Sequence, residues 1–200
     1  MDSEKAAAKA ALRKHLRAQR RALSNRDHDR RSRLAVKAIE RLPQFAAGRR
    51  VALYLPFDGE VDTTRLIAAA RRRGVHLYVP VVIDRRHRRL AFYPLAGKTR
   101  RGTFGIRIPD RADAALAARW LDLVIVPLVG VDRAGRRLGM GGGFYDRLFA
   151  FRGHRNHWRV PRLIGLAFDC QSVVSVQPDN WDLCFDAVAT ESGIRHYRRG

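Results

Sequence analysis

A glycine-rich stretch, with an arginine before it and a carboxylate after it, is the part of the sequence best suited to chemistry. Four of the five residues 139–143 are glycine, Arg137 precedes them and Asp146 follows them. Consecutive glycines let backbone N–H groups converge on an anion without Cβ clashes, and a helix that opens near Gly143 favours the same anion. An arginine adds charge-assisted donors, and a carboxylate suits Mg²⁺. The stretch therefore predicts a site for ATP phosphates and Mg²⁺.

Two better-known phosphate-binding loops do not fit these residues. A Walker loop ends in Gly-Lys-Ser/Thr, whereas Gly143 is followed by Phe144 and Tyr145. A dinucleotide-binding loop has glycines at its first, third and sixth positions directly after a strand, but the sixth position counted from Gly139 is Phe144. On composition alone, a flexible surface loop that leads into a helix remains an alternative.

Helices and strands alternate along the chain, which is typical of an α/β domain. Apolar residues at helical spacing predict a helix over 3–23, and a second helix begins at the N-cap Ser24. Further helices are predicted over 62–73 and around 147–151. Short apolar runs predict strands at 51–55, 75–82, 90–93, 123–126, 163–167 and 187–190. We expect a single domain over residues 1–200, with a mostly parallel sheet between helical layers and two N-terminal helices.

Composition excludes several classes of protein. Cys170 and Cys184 are too few for a disulfide framework, so we expect buried free thiols in a reducing cytoplasm. No apolar run is long enough to span a membrane or resembles a secretory signal. The formal net charge is +21, and only five of the 40 basic residues are lysine. Because the arginines are spread along the chain, we interpret them as solvated surface that is compatible with an anionic substrate, and not as a specific nucleic-acid site.

The glycine stretch resembles the loop of the 5-formyltetrahydrofolate cyclo-ligase family, whose pattern is Asp-x-x-Gly-x-Arg-Leu-Gly-x-Gly-x-Gly-aromatic-Tyr-Asp. The pattern follows an apolar strand that ends in proline, here Pro127. It is filled by Asp132, Gly135, Arg137, Leu138, Gly139, Gly141, Gly143, Phe144, Tyr145 and Asp146. Weaker similarities in the basic first helix, in residues 55–63, around Phe104 and in residues 186–191 extend the resemblance over about residues 5–192.

The resemblance implies an enzyme that uses ATP and Mg²⁺ to convert 5-formyltetrahydrofolate, with or without a polyglutamate tail, into 5,10-methenyltetrahydrofolate. It implies catalytic roles for Arg137 and Asp146, with Asp146 as the metal ligand. Folate would contact Leu55, Glu60, Phe104 and Tyr145. The nucleotide would contact Lys9, Arg13, Arg137, Leu138, Gly139, Met140, Gly141, Gly142, Gly143, Phe144 and Tyr145.

Each of these roles has a plainer structural alternative. Lys9 and Arg13 lie four residues apart and therefore share a helix face, which could simply be solvated. Glu60 could be a surface acid, and Leu55 and Tyr145 could be core residues. Two other functions remain open: an enzyme on the same scaffold with a different substrate, and a nucleic-acid-binding protein favoured by charge alone.

Overall fold

The computed structural model of the chain describes residues 2–95, 99–102, 107–110, 114–152, 160–179 and 181–197. The helices are α1 (Asp2–Arg21), α2 (Asn25–Glu40), α3 (Thr64–Arg72) and α4 (Phe144–Leu148). The first strands are β1 (Arg50–Ala52), β2 (His76–Asp84), β3 (Arg89–Pro94), β4 (Thr99–Arg101) and β5 (Arg107–Pro109). The remaining strands are β6 (Leu123–Pro127), β7 (Gly130–Val131), β8 (Arg137–Leu138), β9 (Arg162–Leu166), β10 (Ala187–Thr190) and β11 (Gly193–His196).

Seven strands form the main sheet in the order β11-β10-β9-β6-β1-β2-β3. The five central strands are parallel, and the two edge strands β3 and β11 are antiparallel to their neighbours. This confirms the predicted α/β domain with a mostly parallel sheet. The central strands β6 and β10 are buried on both faces, which explains why their sequences are continuous apolar runs.

Apolar clusters cover both faces of the sheet. One face packs against α2 and α3, and the other packs against α4. Helix α1 has a separate role: Leu16 packs with Val129 and Leu138, which follow the carboxyl end of β6. The first helix therefore lies over the edge of the sheet where an α/β fold places its ligands.

Several predicted elements have different bounds. Strand β1 ends at Ala52 instead of residue 55; the Leu53 N–H still donates to the Tyr78 carbonyl (3.0 Å), and the next residues, Tyr54 and Leu55, line a cavity. Helix α4 has only five residues, and a 3-10 turn over Ala150–Arg152 follows it. Its dipole is correspondingly small, so it would add less to the predicted anion site than a long helix would.

Local capping follows the sequence closely. Ser24 is the N-cap of α2, and its hydroxyl oxygen accepts a hydrogen bond from the Asp27 N–H (3.1 Å). Asp62 precedes α3, and its Oδ1 accepts a hydrogen bond from the Thr64 N–H (2.9 Å). The cysteines are free, as predicted, but Cys184 is exposed and Cys170 half-buried, so the expectation of two buried thiols is wrong. None of the helices in the described residues is long and apolar enough to cross a membrane.

Candidate active site

The glycine loop connects β8 to α4, and its glycines meet two different requirements, a positive φ angle and a close approach to a side chain. Gly141 and Gly143 have φ angles of 94° and 65°, a region that residues with a Cβ rarely adopt. At Gly139, an added Cβ would lie 2.5 Å from Nη1 of Arg137, so a side chain there would displace the guanidinium group. The loop therefore keeps its backbone close to the guanidinium group of Arg137.

Arg137 is a buried cation held by three contacts at the carboxyl end of β6. Its Nε donates to the Pro127 carbonyl (3.1 Å), and its Nη1 lies 3.5 Å from Oδ2 of Asp146. The guanidinium carbon is 5.2 Å from the centre of the Tyr145 ring, a cation–π distance. The other carboxylate oxygen of Asp146 accepts a hydrogen bond from the Leu183 N–H (3.1 Å). Contacts within the protein therefore hold both side chains in place.

A basic cavity of about 770 Å³ lies on one side of the glycine loop. Its volume is in the range of small-molecule sites. Arginines and lysines from α1, β8, α4 and the β2–β3 hairpin face it together with three carboxylates. Its lining includes Lys5, Lys9, Arg13, Arg88, Arg137, Leu138, Gly139, Gly141, Gly143, Asp146, Arg147, Asp179, Trp181 and Asp182.

Helix α1 is fixed to this cavity by its basic residues. The Nε of Arg13 donates to the Gly139 carbonyl (2.8 Å). The Nζ of Lys9 donates to Asp179 Oδ2 (2.6 Å) and Asp182 Oδ2 (2.8 Å). Burial lowers the pKa of Lys9, but the two carboxylates outweigh it and raise the pKa above its usual value. Lys9 is therefore a positioned charge beside the loop, and the plain solvated-face alternative does not describe it.

A second cavity of about 570 Å³ lies on the other side of the loop and is lined mostly by apolar groups. Arg137 and Gly143 line both cavities. The second lining is drawn from the ends of β1 and β2, the start of β3 and the loop. It comprises Arg20, Tyr54, Leu55, Phe57, Asp58, Glu60, Val79, Pro80, Val82, Leu90, Pro127, Arg137, Met140, Gly142, Gly143, Phe144 and Tyr145.

Glu60 places a carboxylate in this apolar cavity. Its Oε2 accepts a hydrogen bond from the Phe57 N–H (3.1 Å), which closes the turn after β1. Burial raises the pKa of Glu60 to about 7, and the positive charge of Arg20 opposes that shift. The acid is therefore divided between its charged and neutral forms near neutral pH.

The turn that carries Glu60 is fastened to α1 through Asp58. Asp58 has a φ of 56°, and its carboxylate is paired with Arg17, Arg20 and Arg21. Arg20 is only 2% exposed and also donates to the Asp58 carbonyl (2.7 Å). Although burial raises the pKa of Asp58, the arginine hydrogen bonds outweigh it and lower the pKa below its usual value. This cluster orients the turn and shows that these three arginines have a structural partner.

Tyr145 and Leu55 lie between the core and the second cavity. Tyr145 is buried and stacks on Phe149, with ring centres 6.4 Å apart, yet it also lines the cavity. Burial raises the pKa of its hydroxyl, which keeps it neutral. Leu55 is half-buried at the cavity wall. Both residues therefore pack in the core and also line the cavity, so a core position and a ligand contact do not exclude each other.

The predicted site residues divide between the two cavities. Those facing the basic cavity are Lys9, Arg13, Arg137, Leu138, Gly139, Gly141, Gly143 and Asp146. Those facing the apolar cavity are Leu55, Glu60, Met140, Gly142, Phe144 and Tyr145, together with Arg137 and Gly143. Phe104 lies outside the described residues. The loop is therefore a wall between two compartments, with successive residues facing opposite sides.

Sequence reasoning missed several lining residues. Asp179 and Asp182 come from the loop before β10, and Asp182 Oδ2 accepts a hydrogen bond from the Asp179 N–H (2.9 Å). Their neighbour Trp181 is 72% exposed at the cavity rim. No motif in the sequence marks these residues; two aspartates flanking a tryptophan in an otherwise polar segment were the available signal.

The donors present fit ATP and Mg²⁺. Asp146 and Asp182 line the same basic cavity, and Mg²⁺ is commonly held by one or two carboxylates plus substrate phosphates. In the described part of the chain, no group of three or more His, Cys, Asp or Glu residues could hold a metal without such help. The cations on the cavity wall and the glycine-loop amides suit a polyphosphate.

Comparisons with known proteins identify relatives of this chain. A sequence model of the 5-formyltetrahydrofolate cyclo-ligase family matches residues 5–191. The 5-formyltetrahydrofolate cyclo-ligase of Escherichia coli (strain K12) is 34% identical over 183 residues, which cover 90% of this chain and 98% of that protein. The Haemophilus influenzae cyclo-ligase is 36% identical over 138 residues, covering 68% of this chain and 72% of that protein. The solution structure of Aquifex aeolicus 5,10-methenyltetrahydrofolate synthetase is also similar, with a TM-score of 0.80 and 30% identity over 96% of this chain and 94% of that one.

Proposed function

Because the chain belongs to the 5-formyltetrahydrofolate cyclo-ligase family, we propose that it uses ATP and Mg²⁺ to close 5-formyltetrahydrofolate to 5,10-methenyltetrahydrofolate, with release of ADP and phosphate. The observation that carries this proposal is the pair of cavities that share Arg137 and Gly143. The basic cavity suits the polyphosphate of ATP, and the apolar cavity suits the heterocycle of the folate. The reacting atoms of the two substrates would then meet at the loop between the cavities.

The chemistry requires an activated formyl oxygen. The γ-phosphoryl group moves from ATP to this oxygen: the bond from phosphorus to the bridging oxygen of ADP breaks, and a bond to the formyl oxygen forms. Folate N10 then attacks the formyl carbon, loses its proton, and phosphate leaves with the formyl oxygen. Neither step needs a side-chain nucleophile, so the protein acts by positioning the reactants and neutralising charge.

The residues of the basic cavity would bind the nucleotide. Lys9, Arg13 and Arg137 supply cationic donors, and the glycine loop supplies backbone N–H groups. Asp146 would hold Mg²⁺, which supplies charge neutralisation on the phosphates. The hydrogen bond from Leu183 N–H fixes Asp146 for this role without an added ligand.

The residues of the apolar cavity would bind the folate. Glu60 would accept hydrogen bonds from the pterin N–H groups, and Leu55 and Tyr145, which line the same cavity, would pack against the ring. A buried ligand N–H without an acceptor costs about 1–3 kcal/mol. We place the glutamate tail, single or extended, outside this cavity, where the positive protein surface favours it.

The variant Glu60→Gln tests the folate half of this proposal. Glutamine keeps the shape but replaces one acceptor with a donor, so 5-formyltetrahydrofolate should bind about ten- to a hundred-fold more weakly at pH 8. Because the charged carboxylate is the form that accepts, parent affinity should fall as pH decreases through about 7, the pKa of Glu60. Calorimetric titrations between pH 6 and pH 8 measure both effects.

Glu40→Gln provides the matched control, since Glu40 pairs with Arg73 and lines neither cavity. Its folate affinity and pH dependence should equal those of the parent. ATP affinity should change little in the Glu60 variant. If the Glu60 variant binds folate like the parent, the pterin acceptor lies elsewhere.

A further inference from the structure

The hairpin between β2 and β3 carries an arginine that the proposed reaction has not used. The hairpin turn is closed by Asp84, whose Oδ1 accepts a hydrogen bond from the His87 N–H (2.9 Å) and whose Oδ2 lies 2.7 Å from His87 Nδ1. Arg88 follows with a φ of 54°, an unusual backbone conformation for a residue with a long side chain. Such conformations are more common at functional positions than elsewhere.

The side chain of Arg88 reaches the wall between the two cavities. Its Nη1 lies 3.4 Å, and its Cδ 4.0 Å, from the place where a Cβ on Gly143 would stand. Arg88 lines the basic cavity, and Gly143 lines both cavities. Within the described residues, no carboxylate pairs with Arg88, although Arg137 is paired with Asp146. The hairpin therefore brings an uncompensated cation to the place where the two substrates would meet.

The position of the hairpin is coupled to that of the glycine loop. Strand β3 packs against α4, which follows the loop, and the ring centre of Phe92 in β3 lies 6.4 Å from that of Phe149, the residue directly after α4. Val82 and Leu90, at the base of the hairpin, line the apolar cavity. A folate in that cavity would contact the same hairpin that carries Arg88, so substrate binding and the placement of this arginine are physically linked.

We propose that Arg88 is a further catalytic residue, which contacts the γ-phosphoryl group during its transfer to the formyl oxygen. This inference rests on the proposed function. In the transferring group, negative charge is spread over three equatorial oxygens, and a guanidinium donates to two of them at once. Arg88 takes up no proton and forms no bond; it stabilises charge beside Arg137. Its neighbours Arg85, Arg86 and Arg89 do not line the basic cavity.

The test compares the turnover numbers of two variants, Arg88→Gln and Arg86→Gln, with that of the parent. Glutamine keeps an extended side chain and removes the charge, and Arg86 lies in the same hairpin with the same charge change. We expect Arg88→Gln to lower kcat on the order of 10²-fold, the effect of losing one preorganised donor. The folate KM should change less than about threefold, because glutamine leaves the apolar cavity intact. Arg88→Lys, which keeps the charge, should recover part of the lost rate.

Arg86→Gln should retain the parent kcat, and thermal unfolding should show that all three variants are folded. Parent-like kcat in Arg88→Gln would overturn the inference, and so would an equal loss in Arg86→Gln, which would show an effect of net charge alone. A parent protein without ATP-dependent cyclisation would refute the proposed function itself, and this inference with it. A parent that turns over while both variants match it refutes only the role of Arg88.

Discussion

Replacing Asp146 by asparagine is expected to lower the turnover number on the order of 10³-fold while leaving the fold intact. A metal ion supplies several kcal/mol of charge stabilisation in phosphoryl transfer, and each 1.36 kcal/mol corresponds to a factor of ten in rate. Asparagine keeps an oxygen that accepts the Leu183 N–H but loses the negative charge that would bind Mg²⁺. Steady-state kinetics at several Mg²⁺ concentrations measure the change.

The thermal unfolding midpoint separates a local effect from a loss of structure. It should be lower in Asp146→Asn than in the parent, because the buried Arg137 loses its carboxylate partner, but unfolding should remain a single cooperative transition, because the backbone contact is retained. Raising the Mg²⁺ concentration should recover part of the rate if the variant binds the metal weakly. A variant with the parent rate and the parent Mg²⁺ dependence would contradict the assignment of Asp146 as the metal ligand.

Arg137→Gln is expected to impair both substrates, because Arg137 lines both cavities. We expect kcat to fall on the order of 10²- to 10³-fold, with higher KM values for ATP and folate, since a buried charge-assisted donor is lost at the site of transfer. By contrast, Glu60→Gln should alter folate binding alone. Full kinetic matrices with both substrates varied distinguish the two patterns.

A surface arginine provides the control for Arg137. Arg49 pairs with Asp122 and has 56% of its side chain exposed, so Arg49→Gln should leave both KM values and kcat at parent levels. The Arg137 variant also leaves Asp146 without its arginine, and a lower unfolding midpoint is expected. If only one substrate is affected by Arg137→Gln, the two cavities do not meet at this residue during the reaction.

Local patterns in the sequence predicted the sheet and the loop well. Val124 and Ile125 belong to a continuous apolar run, and such runs are typical of parallel strands buried on both faces. Ser24 predicted the start of α2 through its capping chemistry. The glycines of the loop indicated a backbone that a residue with a Cβ would not easily adopt, and Gly141 and Gly143 have positive φ angles. In each case a short-range physical requirement leaves a clear signature in the sequence.

Features that depend on distant residues were not predicted. Asp182 and Lys9 are 173 positions apart in sequence but form an ion pair at the basic cavity. Strand β11 (Gly193–His196) pairs with β10 at the edge of the sheet. Its own residues are half-buried or exposed, so no apolar run marks it in the sequence. The sequence also did not show that Gly139 and Gly141 face the basic cavity whereas Met140 and Gly142 face the apolar one. The cytoplasmic location, the polyglutamate tail and the absence of a specific nucleic-acid partner remain predictions.

The central claim is that ATP phosphorylates the formyl oxygen at the wall between the two cavities. The direct measurement is turnover of 5-formyltetrahydrofolate carrying ¹⁸O in its formyl group, with methenyl formation followed by absorbance and the released phosphate analysed by mass spectrometry. We predict that product forms only with ATP and Mg²⁺, and that each phosphate released carries one ¹⁸O atom from the formyl group. Methenyl product accompanied by unlabelled phosphate, or formed without ATP, would contradict the account.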